Sequence, residues 1–138
     1  MDKLPKEYLE GLIDGYYKKV NGEDCLKPEF IVKYPKEIAK GLEDDYKNKL
    51  SQIWKFYDHT RKIQDSLKQK VKSFEAIEAE LNMLKPAATY AANRGTVTYF
   101  FKDFIEENVS QIKDMKDLEA FIKHFQALIA YLPRKNQK

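Results

Sequence analysis

The amino-acid sequence predicts an all-α fold, a compact bundle of about five to six helices with one long basic helix. Three observations lead to this prediction. The 138 residues are 43% hydrophobic, enough for a substantial core, and their five glycines and five prolines are too few for a many-turned β-sandwich. Apolar residues recur every three or four positions, as in helices. Strand-like alternation is weak even from Phe30 to Tyr34. We therefore expect one helical domain over residues 1–138.

Two amphipathic helices are predicted before residue 45. The first begins near Pro5, a favourable residue in a first turn, and ends at Asn21-Gly22. Its apolar stripe consists of Leu9, Leu12, Ile13, Tyr16, Tyr17 and Val20. The irregular stretch that follows, through Lys27-Pro28 to Tyr34-Pro35, is interpreted as a connector. A short helix follows, with an apolar face of Ile38, Ala39 and Leu42.

A long third helix is predicted from about Asn48, a residue type that caps helix N-termini. Its stripe runs for more than five turns through Leu50, Ile53, Tyr57, Thr60, Gln64, Leu67 and Val71. Residues 47–72 contain eight Lys or Arg and two Asp, and eight minus two gives a net charge of +6. This helix is therefore the basic element of the chain.

Three or four further stretches complete the predicted bundle. Pro86, which has no amide hydrogen, either kinks the next helix or begins a new one, and Asn93-Arg94-Gly95 ends the segment. Pro133 ends the last helix. The apolar stripes are Phe74, Ile77, Leu81 and Leu84; then Val97, Phe100, Phe101, Phe104 and Ile105; then Leu118, Phe121, Ile122, Phe125, Leu128, Ile129 and Leu132.

The sequence lacks the motifs of most catalytic and cofactor sites. It contains no glycine-rich phosphate loop, no HExxH and no GxSxG. Cys25, His59 and His124 are too few for a zinc cage, so we expect no metal, no cofactor and no enzyme activity. The longest apolar run, Ala127–Leu132, is too short to span a membrane, and the charged N-terminus does not resemble a signal peptide. A cytoplasmic protein without membrane contact is expected.

Basic side chains on the third helix are the first candidates for binding. Lys55 and Lys62 lie opposite the apolar stripe, about 10.5 Å apart along the axis, a spacing that lets them reach separate phosphates of one strand. The alternative is a solvated helix face on which Asp58 pairs with Lys62. From charge alone, the solvated face is the favoured interpretation.

Several aromatic and histidine residues also have two interpretations. Trp54 is placed either to cover the core, to stack on a base or to dock against another subunit. Tyr90 and Tyr99 lie on either side of Arg94 and either stack on bases or are half-buried. His59 is predicted to be exposed, and His124 is predicted to pack at the boundary of the core.

Three segments carry a resemblance to a known family. They are SQIWKFYD at 51–58, MLKPAATYAANR at 83–94 and FIKHFQALIAY at 121–131. Their order and spacing resemble the small subunit of type III-A (Csm) CRISPR effector complexes over about residues 48–132. The resemblance implies an all-helical, non-catalytic, RNA-binding protein of antiviral defence. It also implies several stacked copies beside the guide RNA and target RNA, in contact with the backbone and large subunits.

The resemblance also indicates which residues contact RNA. Arg94 matches the arginine that follows the family's Tyr-Ala-Ala block, whereas Trp54 and Ala87 stand where relatives often have basic residues. We expect phosphate contacts from Lys55, Lys62, Lys85 and Arg94, with Gln52 and Arg61 in support. The alternative function is a helical homodimeric adaptor or regulatory module that does not bind nucleic acid. A third, more remote alternative is an enzyme without a recognised motif.

Overall fold

The structure, a computed structural model, describes residues 3–43, 47–69, 72–133 and 136. Over these ranges it contains seven α-helices, a short 3-10 helix at Pro28–Phe30 and one β-hairpin, so the predicted all-α class is confirmed. The helices are α1 Lys6–Asp14, α2 Lys33–Gly41, α3 Leu50–Lys68, α4 Phe74–Asn82, α5 Leu84–Asn93, α6 Tyr99–Gln111 and α7 Met115–Tyr131. None of the helices described here is long and apolar enough to cross a membrane.

The predicted first helix is wrong beyond Asp14. The helix ends at Asp14 with Gly15 as its C-cap, and the chain then forms an antiparallel hairpin of β1, Tyr17–Val20, and β2, Glu23–Leu26. Asn21 and Gly22 have φ angles of +52° and +83°, the geometry of a two-residue hairpin turn. Positive φ at both positions suits Asn-Gly, and the aromatic and β-branched residues before this turn favour a strand over a final helical turn.

Two smaller expectations are also corrected. The weak alternation from Phe30 to Tyr34 does not form a strand, because the chain passes from the 3-10 helix directly into α2. Asn48 does not cap α3, whose N-cap is Lys49. The buried Asn48 side chain instead accepts hydrogen bonds from the amide and hydroxyl of Thr98, at 2.8 and 3.1 Å. It therefore joins the start of α3 to the start of α6.

The structure contains the predicted long third helix and decides whether Pro86 kinks a helix or begins one. Helix α3 has 19 residues and buries Ile53, Tyr57, Thr60, Ile63 and Gln64. The predicted last stripe residue, Val71, lies outside the described residues. Pro86 is the third residue of α5. At this position an amide N–H would have no acceptor within the helix, so the missing donor of proline costs no hydrogen bond. It therefore belongs to a new helix and does not kink an existing one.

Aromatic contacts hold α3 in place over the core. Helix α3 packs against α7 and α4, whereas α5 packs against α6. The Phe56 ring lies 5.4 Å from Phe101 on α6, and Tyr57 lies 5.5 Å from Phe125 on α7, both edge to face. Since α6 contacts both α5 and Phe56, it fixes the spacing between α3 and α5.

Gly41 is expected to be intolerant of a larger side chain. A methyl group on this last residue of α2 would overlap with the buried ring of Phe100 on α6. We expect Gly41→Ala to lower the free energy of unfolding by about 1–3 kcal/mol, measured by urea denaturation. If the overlap is the cause, Phe100→Leu in the same chain relieves part of the loss, whereas strictly additive losses would contradict the explanation.

Candidate nucleic-acid interface

An open groove of about 460 Å³ lies between the first half of α3 and the part of α5 that begins at Ala87. Its lining is Gln52, Lys55, Phe56 and His59 from α3, and Ala87, Tyr90, Ala91, Arg94 and Thr96 from α5 and the turn after it. Each helix contributes residues at positions i, i+3, i+4 and i+7, which lie on one face of a helix. The short side chains of Ala87 and Ala91 leave the space between the two helices open.

The groove is basic. Lys55 and Arg94 are exposed, and none of the described residues that line the groove is acidic. Among the ion pairs of the described residues, none involves Lys55 or Arg94. The Arg94 guanidinium lies 4.9 Å from the centre of the Tyr90 ring, a cation–π contact that holds the charge at the rim. This arrangement favours an anionic ligand.

Lys62 lies beyond the groove on the same side of α3. It is seven residues after Lys55, close to two full turns, and its Nζ pairs with Asp58 Oδ2 at 3.1 Å. The pair considered as an alternative interpretation is therefore present. The Lys62 side chain nevertheless remains 75% exposed, and an exposed pair of this kind contributes little to stability. Lys62 is thus still accessible to a ligand.

Arg61 is directed to a different part of α3. Its Nη1 donates a hydrogen bond of 3.2 Å to the Tyr57 hydroxyl, and its guanidinium lies 6.0 Å from the centre of the Tyr57 ring. Trp54, half exposed at 50%, packs 5.0 Å from the same ring. Arg61 therefore forms a cluster with two aromatic side chains and does not line the groove.

Lys85 lies on the opposite side of α5 from Arg94. The two are nine residues apart, a rotation of about half a turn. Lys85 lines a separate cavity of about 300 Å³ with Lys113 and Glu78. Of the six predicted binding residues, the structure brings Gln52, Lys55 and Arg94 together, leaves Lys62 adjacent, and separates Arg61 and Lys85.

Sequence reasoning did not assign Phe56 or His59 to a site with Arg94. His59 is exposed, as predicted, but it also lines the groove, and Tyr90 is 62% exposed beside it. The sequence contained an indication of this site, because both α3 and α5 carry a basic and an aromatic residue within one i, i+3, i+4, i+7 set. What the sequence does not specify is that these two faces meet.

His124 is more buried than predicted. The interpretation as a boundary residue is corrected, because the ring is fully buried and makes two hydrogen bonds. Nδ1 lies 2.6 Å from the Phe30 carbonyl oxygen, and Nε2 lies 2.7 Å from the Tyr8 hydroxyl. Burial lowers the pKa of His124 to about 4, although the Phe30 carbonyl partly opposes this effect. His124 is therefore a neutral member of the core at physiological pH.

The described residues offer little support for metal or cysteine chemistry. Within the part of the chain that the structure describes, no three His, Cys, Asp or Glu side chains are grouped so as to hold a metal ion. Cys25 lies in the hairpin, half-buried and unpaired with another cysteine. The basic groove is therefore the feature that best defines a candidate site.

Comparison with known proteins identifies the family. A search of curated proteins and a search of solved structures gave no match. A scan against family models matched the Csm2 Type III-A family over residues 26–137, a range that contains every groove residue and leaves α1 outside. Because this match covers most of the 138 residues, the chain belongs to the Csm2 Type III-A family, the small subunits of type III-A CRISPR effector complexes.

Proposed function

We propose that the protein binds guide or target RNA within its effector complex, without cleaving any bond and without reading sequence. The observation that carries the proposal is the α3–α5 groove, where Lys55 and Arg94 are exposed and form no ion pair among the described residues, and where no described lining residue is acidic. Charges of this kind bind phosphates and release counterions. Base pairing by the guide supplies the sequence specificity in such complexes, so the protein needs only to hold the backbone.

The proposal includes contacts with further protein chains. Residues 103–120 contain six acidic residues against Lys113 and Lys116, whereas residues 47–72 carry a net charge of +6. Segments of opposite charge on one chain support contacts between neighbouring copies, which we expect to stack along the RNA beside the backbone and large subunits. We place this assembly in the cytoplasm, in antiviral defence.

Reversing the two groove charges is expected to weaken RNA binding. The variant Lys55→Glu/Arg94→Glu changes the net charge from +3 to −1. We expect its Kd for a single-stranded RNA to rise at least tenfold at low salt, because two phosphate contacts are lost. The slope of log K against log salt should become shallower by about 1.4, twice the value of roughly 0.7 for each contact. Fluorescence anisotropy over a salt series measures both quantities.

The matched control is Lys6→Glu/Lys123→Glu. Both lysines are exposed and neither lines the groove, yet the net charge changes by the same amount. Equal weakening by the two double variants would indicate a nonspecific charge effect and would contradict the proposed site. If the wild-type protein shows no salt-sensitive RNA binding, alone or in the assembled complex, the adaptor function replaces the proposed one.

A further inference from the structure

We propose that the α3–α5 groove holds one unstacked base of single-stranded RNA, flanked by the phosphates that Lys55 and Arg94 bind. This inference rests on the proposed RNA binding and goes beyond it, because phosphate contacts alone need no cavity. The groove combines an exposed aromatic ring, a cation stacked on that ring, and unused polar side chains. This combination is suited to a base together with its phosphates.

Tyr90 is the stacking platform. Its side chain is 62% exposed although Arg94 lies over the ring, so much of the ring surface is open to a ligand. Bases stack on aromatic rings and on the planes of arginine guanidinium groups, and both surfaces are present here. Phe56, half-buried against Phe101, provides an apolar wall on the opposite helix. A base that enters between the helices therefore meets apolar surface on both sides.

The size of the groove fits a nucleotide. Its volume of about 460 Å³ lies within the range of roughly 300–1,000 Å³ typical of small-molecule sites. Ala87 and Ala91 form the side next to Tyr90, and any longer side chain at either position would reduce this space. Phosphates alone do not need such a recess, since lysines on a convex helix face can bind them.

Polar groups at the groove are free to meet the edges of a base. Gln52 is half-buried, and within the described residues its side-chain amide has no hydrogen-bond partner. The exposed ring of His59 lies on the same face of α3. The Thr96 hydroxyl, in contrast, already donates to the Ala91 carbonyl at 3.1 Å. An amide presents both donors and acceptors, so Gln52 can pair with any of the bases.

A base can reach this groove only when it leaves its stack. In a duplex both faces of each base are covered by neighbours, and the stack would have to open first. A single strand has no base pair to break, so a base leaves its stack at a lower cost. We therefore expect the groove to favour single-stranded over double-stranded RNA of equal charge, a preference that phosphate contacts do not produce by themselves.

The test compares intact and abasic RNA on the full chain. Wild-type protein is titrated with a single-stranded oligoadenylate and with an abasic oligonucleotide of the same length and charge. We expect binding of intact RNA to be about tenfold tighter. We expect Tyr90→Leu to lose this advantage without changing the affinity for the abasic strand. The fluorescence of a 2-aminopurine placed in the intact strand should change on binding to the wild type, because the probe leaves its neighbouring bases for the Tyr90 ring, and should change less on binding to Tyr90→Leu.

Tyr131→Leu is the matched control, since Tyr131 is an exposed tyrosine with Lys36 5.5 Å from its ring centre, outside the groove. The base site is overturned if the wild type binds intact and abasic strands equally, or if Tyr90→Leu retains the advantage. Salt-sensitive binding of both strands would then still support phosphate binding by Lys55 and Arg94. Adenosine monophosphate alone is expected to bind at least a hundredfold more weakly than RNA, and tighter binding would make the groove a free-nucleotide site instead.

Discussion

Replacing Asn108 with alanine is expected to lower the free energy of unfolding by about 3–5 kcal/mol. Asn108 lies fully buried on α6, where its Oδ1 accepts a hydrogen bond of 2.9 Å from the Tyr16 hydroxyl. Its Nδ2 donates to the Tyr8 hydroxyl and to the Phe104 carbonyl, both at 2.8 Å. Alanine would leave the Tyr16 hydroxyl without its best acceptor and the Tyr8 hydroxyl without a donor. Each unsatisfied buried group costs roughly 1–3 kcal/mol, and the cavity adds to this.

Urea denaturation followed by circular dichroism measures the loss. Asn82→Ala is the matched control, because Asn82 is also a helical asparagine whose amide donates to a backbone carbonyl, in this case Glu78 at 2.9 Å, but it is exposed. We expect a change within about 0.5 kcal/mol for this control. A loss below about 1 kcal/mol for Asn108→Ala would show that water replaces the missing amide and would contradict the explanation.

The same hydrogen bonds give the N-terminal segment its role. Tyr8 and Tyr16 precede residue 26, where the family match begins, yet their hydroxyls bind Asn108 and His124 inside the matched range. The segment therefore completes the core under α6 and α7. Since α6 also supports α5 and contacts Phe56 of α3, the N-terminal segment contributes indirectly to the rigidity of the groove.

Helices with one apolar face were predictable, and the hairpin was not. The apolar stripes of α3, α6 and α7 repeat over several turns, so their helical period is easily distinguished from the two-residue period of a strand. Tyr16, Tyr17 and Val20 fit a helical stripe as well as they fit a strand, because the segment after Gly15 is too short for its period to be decisive. The turn chemistry of Asn21-Gly22 was the better guide, since positive φ at two successive residues is typical of a hairpin.

The candidate site was predictable in its residues but not in its geometry. An outward face on α3 placed Lys55 opposite the core, and the family resemblance indicated Arg94. Which helix faces α3 is decided by packing through Phe56 and Phe101, a contact between residues 45 positions apart that neither helical pattern contains. For the same reason Lys85 was grouped with Arg94, although half a helical turn separates them.

The buried polar network was the least predictable feature of the core. His124 lies 116 residues from Tyr8, and its second partner, the Phe30 carbonyl, is 94 residues away. A histidine beside an apolar stripe gives no indication of partners so distant in sequence. The periodicity placed His124 at the edge of the core, whereas the two hydrogen bonds allow full burial of its ring.

Acidification from pH 6.5 to 4 is expected to remove about 3 kcal/mol of stability through His124. The folded-state pKa is about 4 because the ring is buried, whereas the ordinary value is 6.5, so the unfolded chain binds the proton more readily between these values. The contribution is fully present above pH 6.5 and is lost as the pH falls towards 4. Each unit of difference between the folded and unfolded pKa values of His124 corresponds to roughly 1.4 kcal/mol of stability.

The hydrogen bonds explain why protonation of the His124 ring is unfavourable in the folded protein. The distance from Nδ1 to the Phe30 carbonyl requires a hydrogen on Nδ1, so Nε2 accepts from the Tyr8 hydroxyl. Because Asn108 already donates to that hydroxyl oxygen, a second proton on the ring would leave the Tyr8 hydroxyl hydrogen without an acceptor. Protonation therefore adds an unsatisfied buried group to the cost of a buried charge.

Urea denaturation of the wild type and of His124→Gln at several pH values between 4 and 7 isolates this contribution. His124→Gln should be less stable at pH 7 and should lack most of the decline, because the two proteins carry the same carboxylates and their contributions cancel in the difference. His59→Gln removes the other histidine of the chain from an exposed position, and its decline should match the wild type because His124 is retained. If the free energy of unfolding fell with pH in parallel for the wild type and His124→Gln, the buried ring would be protonated as easily as in the unfolded chain. That result would contradict the explanation based on its hydrogen bonds.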